Sequence, residues 1–267
     1  MHETASIKSS DNPVIKGLLE TKKDTSFYFA EGIKITEEFL KSERSAETAI
    51  VSGELLEEPK ISGLFTRLKS RSNNSYVMAS KIFRKFSDVE EPQGIAFFGK
   101  RELSGDISAI DFFDKKAVYV LLDGISDPGN IGTIIRTCKA AGVKALITSK
   151  GSVSVYNPKV LRSTMGAVFS TTILESREPE EVISAFKMRG VKTVGASLDA
   201  DKAIWDAEIA LPVLLIFGNE ARGISKKALE LTDLNVKLPI TGDIDSLNVA
   251  VSTGITLYEI MRRFRLY

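Results

Sequence analysis

Three stretches beyond residue 117 of this 267-residue chain place polar side chains where a bound ligand could meet them. In each, an apolar run leads into a glycine-containing turn and then a helical pattern; the stretches are 118–137, 213–226 and 236–251. Loops at the carboxyl ends of parallel strands surround the crevice in which α/β proteins bind ligands. Three such loops, carrying Asn, Arg, Glu and Ser, therefore predict one composite site.

The first loop has the features of an anion-binding helix start. Residues 127–129 (Asp-Pro-Gly) are typical of a turn, and Asn130 stands where an N-cap is expected. Gly132 permits close approach of a ligand to the start of the helix. Arg136 follows six residues later, and we expect it to face the same crevice. The alternative is a well-capped helix with a surface arginine. The spacing matches neither GxGxxG nor a P-loop, which argues against a nucleotide-dependent oxidoreductase.

The second and third loops add a carboxylate and an amide. Two glycines within 218–223 follow an apolar strand, a pattern typical of backbone approaching a ligand, although a turn with a surface Glu–Arg pair would fit as well. In the third loop, Asp245 or Ser246 can cap a helix beginning at Leu247, with Asn248 in its first turn. This helix, 247–263, carries small residues suited to close packing and a core set: Val249, Ile255, Leu257 and Ile260.

Histidine and cysteine are nearly absent, which narrows the chemistry. His2 is the only histidine and Cys138 the only cysteine, so His-dependent triads, zinc sites and internal disulfides are disfavoured. We expect no metal, and proton transfer must use other side chains, water or the substrate. The N-terminus lacks a secretory signal and the apolar runs are too short to span a membrane, so we expect a cytoplasmic protein.

Positive charge is concentrated in one part of an otherwise balanced chain. The net charge is +1, yet residues 60–101 contain nine Lys or Arg and three Asp or Glu. This excess could hold a phosphate backbone, with Arg84 and Lys85 as candidate RNA contacts. A solvated face balanced by Glu54, Glu57 and Glu58 is an equally good interpretation.

The order of apolar patterns predicts two domains. Residues 1–100 form a small α/β module with helices at 12–19 and 31–41 and strands at 49–51, 75–78 and 94–98, while 81–86 is ambiguous. A linker is expected at 101–114. From residue 115 to 267, strands and helices alternate, which predicts a parallel sheet covered by helices on both faces. The expected elements are strands 118–122, 145–148, 171–174, 193–197, 213–217 and 236–238, and helices 132–141, 158–165, 179–188, 225–231 and 247–263.

Taken together, the three loops resemble the signature motifs of the SpoU (TrmH-type) RNA 2′-O-ribose methyltransferases of the SPOUT superfamily. The matching segments, in order, are DPGNIGTIIRT, FGNEARGIS and LPITGDIDSLNVAVSTGITLYE. LRSTMGAVF at 161–169 also resembles a family segment. FYFAEGIKITEEFL and SDVEEPQGIAFF are similar to the small L30e-like domain often fused in front. The third motif departs from the family only conservatively, at Leu238 and Ile240.

The resemblance implies a fold, a reaction and partners. We expect a C-terminal knotted (trefoil) SPOUT domain with a parallel sheet, an N-terminal L30e-like RNA-binding domain, and a homodimer whose interface completes the active site. The reaction is methyl transfer from S-adenosylmethionine to a ribose 2′-hydroxyl, most simply in ribosomal RNA. A transfer-RNA enzyme and a non-catalytic RNA-binding or ribosome-assembly protein are the alternatives. The target nucleotide stays open.

The resemblance also assigns roles to residues, position by position. Asn130 and Arg136 match the catalytic pair of the first motif, Glu220 the second, and Ser246 with Asn248 the third. Because arginine keeps its proton at neutral pH, we expect Arg136 to orient ribose and phosphate rather than act as a base. Arg162 is expected to hold an RNA phosphate. The residues expected to contact the donor are Ser197, Leu198, Phe217, Gly218, Leu238, Ile240, Leu247 and Asn248.

Overall fold

The computed structural model describes residues 4–102 and 106–267, which form two compact units. The first comprises the described residues of Met1–Glu102 together with Tyr156–Ser170, and the second those of Leu103–Val155 with Thr171–Tyr267. His2 and residues 103–105 of the expected linker lie outside the described residues. The chain thus passes between the units three times, whereas the sequence suggested a single crossing.

The first unit is a five-stranded mixed sheet with helices on both faces. Its strand order is β1-β4-β3-β5-β2, in which β1, β4 and β3 run parallel and β5 and β2 antiparallel to their neighbours. Its elements are β1 (Ala5–Ile7), α1 (Pro13–Lys23), β2 (Phe27–Glu31), α2 (Ile33–Phe39), β3 (Ala46–Ser52), α3 (Pro59–Lys69), β4 (Ser72–Met78), α4 (Ser80–Phe86) and β5 (Ile95–Lys100).

The segment Tyr156–Ser170 packs on this first unit through aromatic side chains. Tyr156 stacks on Tyr28 with ring centroids 5.0 Å apart, and Phe169 meets Phe39 edge-on at 5.2 Å. Gly166 has a φ of +88°, and a Cβ there would come within 2.4 Å of the Cβ of Glu38. The glycine of the LRSTMGAVF segment is therefore required by close packing against α2.

The second unit is a seven-stranded sheet in which every pair of neighbours is parallel. The strand order is β10-β12-β9-β11-β6-β7-β8. This confirms the α/β class and the parallel sheet expected from the alternating pattern. The elements are β6 (Val118–Asp123), α5 (Pro128–Ala140), β7 (Ala145–Ser149), β8 (Ile173–Arg177), α7 (Pro179–Met188), β9 (Lys192–Ala196), β10 (Lys202–Ala203), β11 (Val213–Gly218), α8 (Lys226–Leu231), β12 (Leu234–Lys237) and α9 (Val249–Phe264), while α6 (Pro158–Thr164) belongs to the first unit.

Helices cover both faces of the parallel sheet. Val182 and Phe186 of α7 and Ala228 of α8 pack with Tyr119 and Leu214 in one core cluster. Because side chains alternate along a strand, the residues next to Tyr119 and Leu214 in their strands face the opposite side of the sheet. On that side, α9 contacts α5 and β11. The central strands, such as β6 and β7, are therefore buried throughout.

Several sequence predictions were wrong in detail. The predicted helix 31–41 begins only at Ile33, because Phe27–Glu31 form the buried strand β2. Residues 81–86 are helical, with Ile82, Phe83 and Phe86 on the buried side of α4. The short β1 and α3 were not predicted. On α9, Ile255 is 38% exposed rather than buried, whereas Val249, Leu257 and Ile260 lie in the core as expected.

Within the described residues, no helix combines the length and apolar character needed to cross a membrane.

Candidate active site

The three polar loops meet at one edge of the parallel sheet. β6 and β11 are neighbours whose last residues, Asp123 and Gly218, are paired. β9 and β12 continue the sheet beyond β11 and end at the same edge. A cavity of about 460 Å³ opens there, between the loops that follow β9, β11 and β12. The three loops predicted to form one site therefore lie at the same end of the sheet, and the composite site itself stays a prediction.

Asp123, at the end of β6, links the loops that follow β6, β7 and β11 through hydrogen bonds. Its side chain is 8% exposed, and Oδ2 accepts a hydrogen bond from the backbone N–H of Ser225 at 2.8 Å. Its Oδ1 accepts from the hydroxyl of Ser149, at the end of β7, at 3.1 Å. The Ser149 hydroxyl in turn accepts from the N–H of Gly124 at 2.8 Å. A buried carboxylate thus fixes the entry to the first loop and the exit from the second.

The second loop is held by its own backbone and by Asn219. Asn219 and Gly223 exchange two backbone hydrogen bonds of 3.0 and 2.8 Å, and Nδ2 of Asn219 donates to the carbonyl of Gly124 at 2.8 Å. A Cβ on Gly218 would lie 2.0 Å from the backbone of Gly223 and Ile224. Gly218 is therefore needed because the loop folds back on its own strand, a different cause from the ligand approach inferred from sequence.

Side chains from all three loops join in one hydrogen-bonded chain. Nδ2 of Asn130 donates to Oε1 of Glu220 at 2.6 Å, and Nδ2 of Asn248 donates to Oδ1 of Asn130 at 2.9 Å. Oδ1 of Asn248 accepts from the N–H groups of Ala250 and Val251, at 2.9 and 3.3 Å. The Glu220–Asn130–Asn248 chain therefore links α5, the second loop and the start of α9.

The helix caps at the site differ from those expected. Asp127, not Asn130, caps α5, and its Oδ1 accepts from the N–H of Asn130 at 2.7 Å. Asn248, rather than Asp245 or Ser246, caps α9, which begins at Val249. Because Asp127 serves the cap, the side chain of Asn130 is left available to bridge Glu220 and Asn248.

Most of the residues expected to contact a donor line the cavity. Glu220 and Ser246 from the catalytic set also line it, whereas Asn130, Arg136 and Asn248 do not. The expected donor contacts on the cavity wall are Ser197, Leu198, Phe217, Gly218, Leu238, Ile240 and Leu247. Arg222, Asp199 and Lys237 also line the wall and were not singled out from sequence, and neither were Asp123 and Asn219 as loop anchors.

Arg136 is exposed on α5 and is not part of the hydrogen-bonded chain. Six helical residues correspond to a rotation of about 600°, so Arg136 and Asn130 point in directions about 120° apart. The two side chains therefore leave α5 in different directions, and a crevice shared by both stays a prediction. The expected RNA contacts Arg162, Arg84 and Lys85 lie in the first unit: Arg162 is half-buried on α6, and Arg84 and Lys85 are exposed on α4.

Cys138 is buried within α5. Burial raises the pKa of the Cys138 thiol to about 12, which keeps it protonated at neutral pH. Among residues 4–102 and 106–267, no group of three or more His, Cys, Asp or Glu side chains is arranged to hold a metal ion. The side chains described at this site are amides, hydroxyls, carboxylates and arginine, which can bind a ligand and donate or accept hydrogen bonds.

A parallel sheet with a small-molecule cavity at its strand ends defines an α/β ligand-binding protein. The hydrogen bonds that join Glu220, Asn130 and Asn248 reach this cavity through Glu220, which lines it. The chain belongs to the SpoU rRNA Methylase family, which matches residues 117–258. The family resemblance found in the three loops is thereby confirmed.

Individual relatives agree with this membership. The chain is 32% identical to the 23S rRNA (guanosine(2553)-2′-O)-methyltransferase RlmP of Bacillus subtilis, over 95% of this chain and 98% of that protein. It is 34% identical to the 23S rRNA (guanosine-2′-O-)-methyltransferase RlmB of Pseudomonas aeruginosa, over 55% of this chain and 59% of that protein. The crystal structure of an AdoMet-bound rRNA methyltransferase from Sinorhizobium meliloti is similar with a TM-score of 0.86 and 26% identity, covering 97% of this chain and 98% of that chain.

Proposed function

We propose that this protein transfers a methyl group from S-adenosylmethionine to a ribose 2′-hydroxyl of ribosomal RNA. The observation that carries the proposal is the Glu220–Asn130–Asn248 chain beside a cavity at the strand ends, in a member of the SpoU family. The named relatives act on 23S rRNA, which favours ribosomal over transfer RNA. A ribosomal substrate also supports the cytoplasmic location expected from sequence.

The cavity suits the methyl donor in size and lining. Its volume of about 460 Å³ lies within the range of about 300–1,000 Å³ that small-molecule sites occupy. Leu198, Leu238 and Leu247 offer apolar surface for a purine ring, and the Ser197 and Ser246 hydroxyls offer polar contacts. When bound, the donor supplies a methyl group on a sulfonium, which is already electrophilic. Alignment and orientation are what this chain must add.

We assign the orienting role to the amides and to Arg136. Asn130 is held from both sides, by Glu220 and Asn248, so its position is fixed before RNA arrives. Glu220 holds this amide rather than acting as a nucleophile. Arg136 is exposed, and a guanidinium can donate two hydrogen bonds to one phosphate, so we assign it to the phosphate beside the target ribose. Arg162 is proposed to hold a second phosphate.

We infer that the enzyme works as a homodimer through α9. Val251, Ile255 and Tyr258 are spaced i, i+4 and i+7 on this helix, and they are 50%, 38% and 53% exposed. Such an apolar stripe suits a second copy of the chain. Arg136 lies exposed on α5, the helix that packs against α9, so a partner at this stripe would lie close to Arg136.

Three further features of the family are part of the proposal. The last strands support a C-terminal knot, since β11 lies between β9 and β6 while β12 lies beyond β9. The mixed sheet of the first unit supports an L30e-like domain that binds RNA. We retain 1–100 and 115–267 as the two domains, with 156–170 packed on the first.

Methylation of ribosomal RNA by the purified protein tests the function. RNA from cells lacking the gene is incubated with enzyme and labelled donor, and 2′-O-methyl positions are then mapped. We expect one new 2′-O-methylribose in ribosomal RNA. Label entering transfer RNA instead would favour the alternative substrate. Donor binding without any transfer to either RNA would favour a non-catalytic role.

A further inference from the structure

The two faces of the sheet in the first unit carry different charge. α1 and α4 lie together on one face, where Ile15, Leu18, Phe83 and Phe86 share a core cluster with strand residues that include Phe98. α2 and α3 cover the opposite face, where Phe39 packs on Phe97 with centroids 4.3 Å apart. The basic stretch seen in the sequence is thus divided between two surfaces.

Most cations on the face formed by α1 and α4 have no ion-pair partner among the described residues, although Asp88, Glu90 and Glu91 follow α4 in the sequence. These two helices contain six Lys or Arg and a single acidic residue, Glu20. Lys22 alone among the six forms an ion pair, with Asp88 at 2.7 Å, in the part of the chain that the structure describes. The five others all point away from the core and are exposed: Lys16, Lys23, Lys81, Arg84 and Lys85.

On the face formed by α2 and α3, three of the cations form ion pairs. Lys34 and Lys41 both contact Glu38, at 2.6 and 2.7 Å, and Lys60 contacts Glu37 at 3.1 Å. The residues leading into α3 add further carboxylates: Glu54, Glu57 and Glu58. Counted within the helices alone, as for α1 and α4, α2 and α3 contain four Lys or Arg and two Glu. Both of these carboxylates are already engaged in ion pairs, with Lys34, Lys41 and Lys60.

We propose that the α1–α4 face, rather than the α2–α3 face, is the surface on which the first unit binds the phosphate backbone of substrate RNA. The inference rests on the proposed function for the identity of the polyanion. Cations at i, i+3 and i+4 on α4 and at i, i+7 on α1 give a spread of positive charge over two neighbouring helices. A protein partner would instead need buried aromatic or aliphatic anchors, and the exposed large apolar residue on these helices is Leu19, at 42%.

Two full-length variants with the same charge change test this assignment. In the first, Lys16, Lys23, Lys81, Arg84 and Lys85 are all changed to Gln. In the matched control, Lys34, Lys41, Lys60, Arg67 and Lys69 are changed to Gln. Binding of a 23S rRNA transcript is measured as a function of salt, alongside donor binding and thermal unfolding. The slope of log K against log[salt] is negative. For every phosphate that the protein no longer neutralises, this slope becomes less steep by about 0.7–0.9.

We expect the α1–α4 variant to bind RNA at least tenfold more weakly, with a smaller salt slope, and the control to bind within threefold of wild type. Equal effects of the two variants, or a larger effect of the control, would overturn the assignment. The second result would place RNA in the cleft lined by Lys41, Lys60 and Arg67. Unchanged donor binding and unfolding show that each variant is folded. If the wild-type protein methylates no RNA, the proposed function fails; if it does and the α1–α4 variant binds normally, only this inference fails.

Discussion

Asn248 donates a hydrogen bond from Nδ2 to Oδ1 of Asn130 over 2.9 Å, and the helix that Asn248 caps fixes the direction of this bond. The backbone N–H groups of Ala250 and Val251 can only donate, so the oxygen of Asn248 must face them. Its amino group therefore faces Asn130. The amino group of Asn130 must then face Glu220. The cap of α9 therefore sets the orientation of both side-chain amides, that of Asn248 and that of Asn130.

Replacing Asn248 with Asp keeps the helix cap but removes the hydrogen bond that Asn248 donates to Asn130. Asp caps a helix about as well as Asn, so we expect the free energy of unfolding to change by less than about 0.5 kcal/mol. The variant places an acceptor opposite the acceptor of Asn130, so the transfer rate should fall at least roughly tenfold. Asn248→Ala is the comparison, since it loses both functions and about 1 kcal/mol of stability. Normal turnover by the Asp variant would show that the chain does not position the reaction.

Changing Glu220 distinguishes positioning from charge. Glu220→Gln keeps an oxygen that can accept the hydrogen bond from Asn130, whereas Glu220→Ala removes it. We expect the Gln variant to keep most of the single-turnover rate and the Ala variant to lose roughly tenfold. If the two variants are equally inactive, the negative charge itself is required and the positioning role is wrong.

Arg136 should act on RNA and not on the donor. Because its side chain is exposed and does not line the cavity, Arg136→Ala should leave donor binding by calorimetry unchanged while abolishing methyl transfer. Arg136→Lys keeps the charge but loses the two-pronged hydrogen bonding of guanidinium to phosphate, so an intermediate rate is expected. Near-normal turnover by the Ala variant would remove Arg136 from the mechanism.

Asp123 should be needed for the shape of the second loop. Asp123→Ala removes the carboxylate that accepts from the N–H of Ser225 and from the buried hydroxyl of Ser149, which costs about 1–3 kcal/mol. Asp123→Asn keeps one acceptor oxygen and should be milder. Urea unfolding measures the stability and calorimetry the donor affinity, and we expect both to fall in the order wild type, Asn, Ala. An Ala variant with wild-type stability would mean that the loop holds its position without this carboxylate.

Much of the fold and of the site could be predicted because their signals are local. The strands of the second unit are continuous apolar runs such as 213–217, and each polar loop follows its strand directly. The predicted cap of α5 was three residues too late, because Asp127 and Asn130 are both good capping residues. Their roles are distinguished by the hydrogen bond from Asn130 to Glu220, which shows that the side chain of Asn130 does not cap the helix.

Features that depend on long-range packing could not be found in this way. At Gly218, a side chain would clash with the backbone five and six residues further along. At Gly166, it would clash with α2, which is far away in the sequence. The compensation of Lys60 by Glu37 likewise depends on two helices meeting. A count of charges along the chain therefore placed the basic stretch correctly but could not say which surface it forms.

The packing of Tyr156–Ser170 on the first unit predicts how a truncated chain behaves. Without residues 1–100, the rings of Tyr156 and Phe169 lose their partners Tyr28, Phe39 and Phe97, and apolar surface is exposed. We expect the fragment 115–267 to aggregate and to bind a hydrophobic dye. The same fragment carrying Tyr156→Ser and Phe169→Ser should be more monodisperse, since its new surface is polar. A wild-type fragment that is monodisperse and free of dye binding would show that 156–170 folds independently of the first unit, and the single-linker division would then stand.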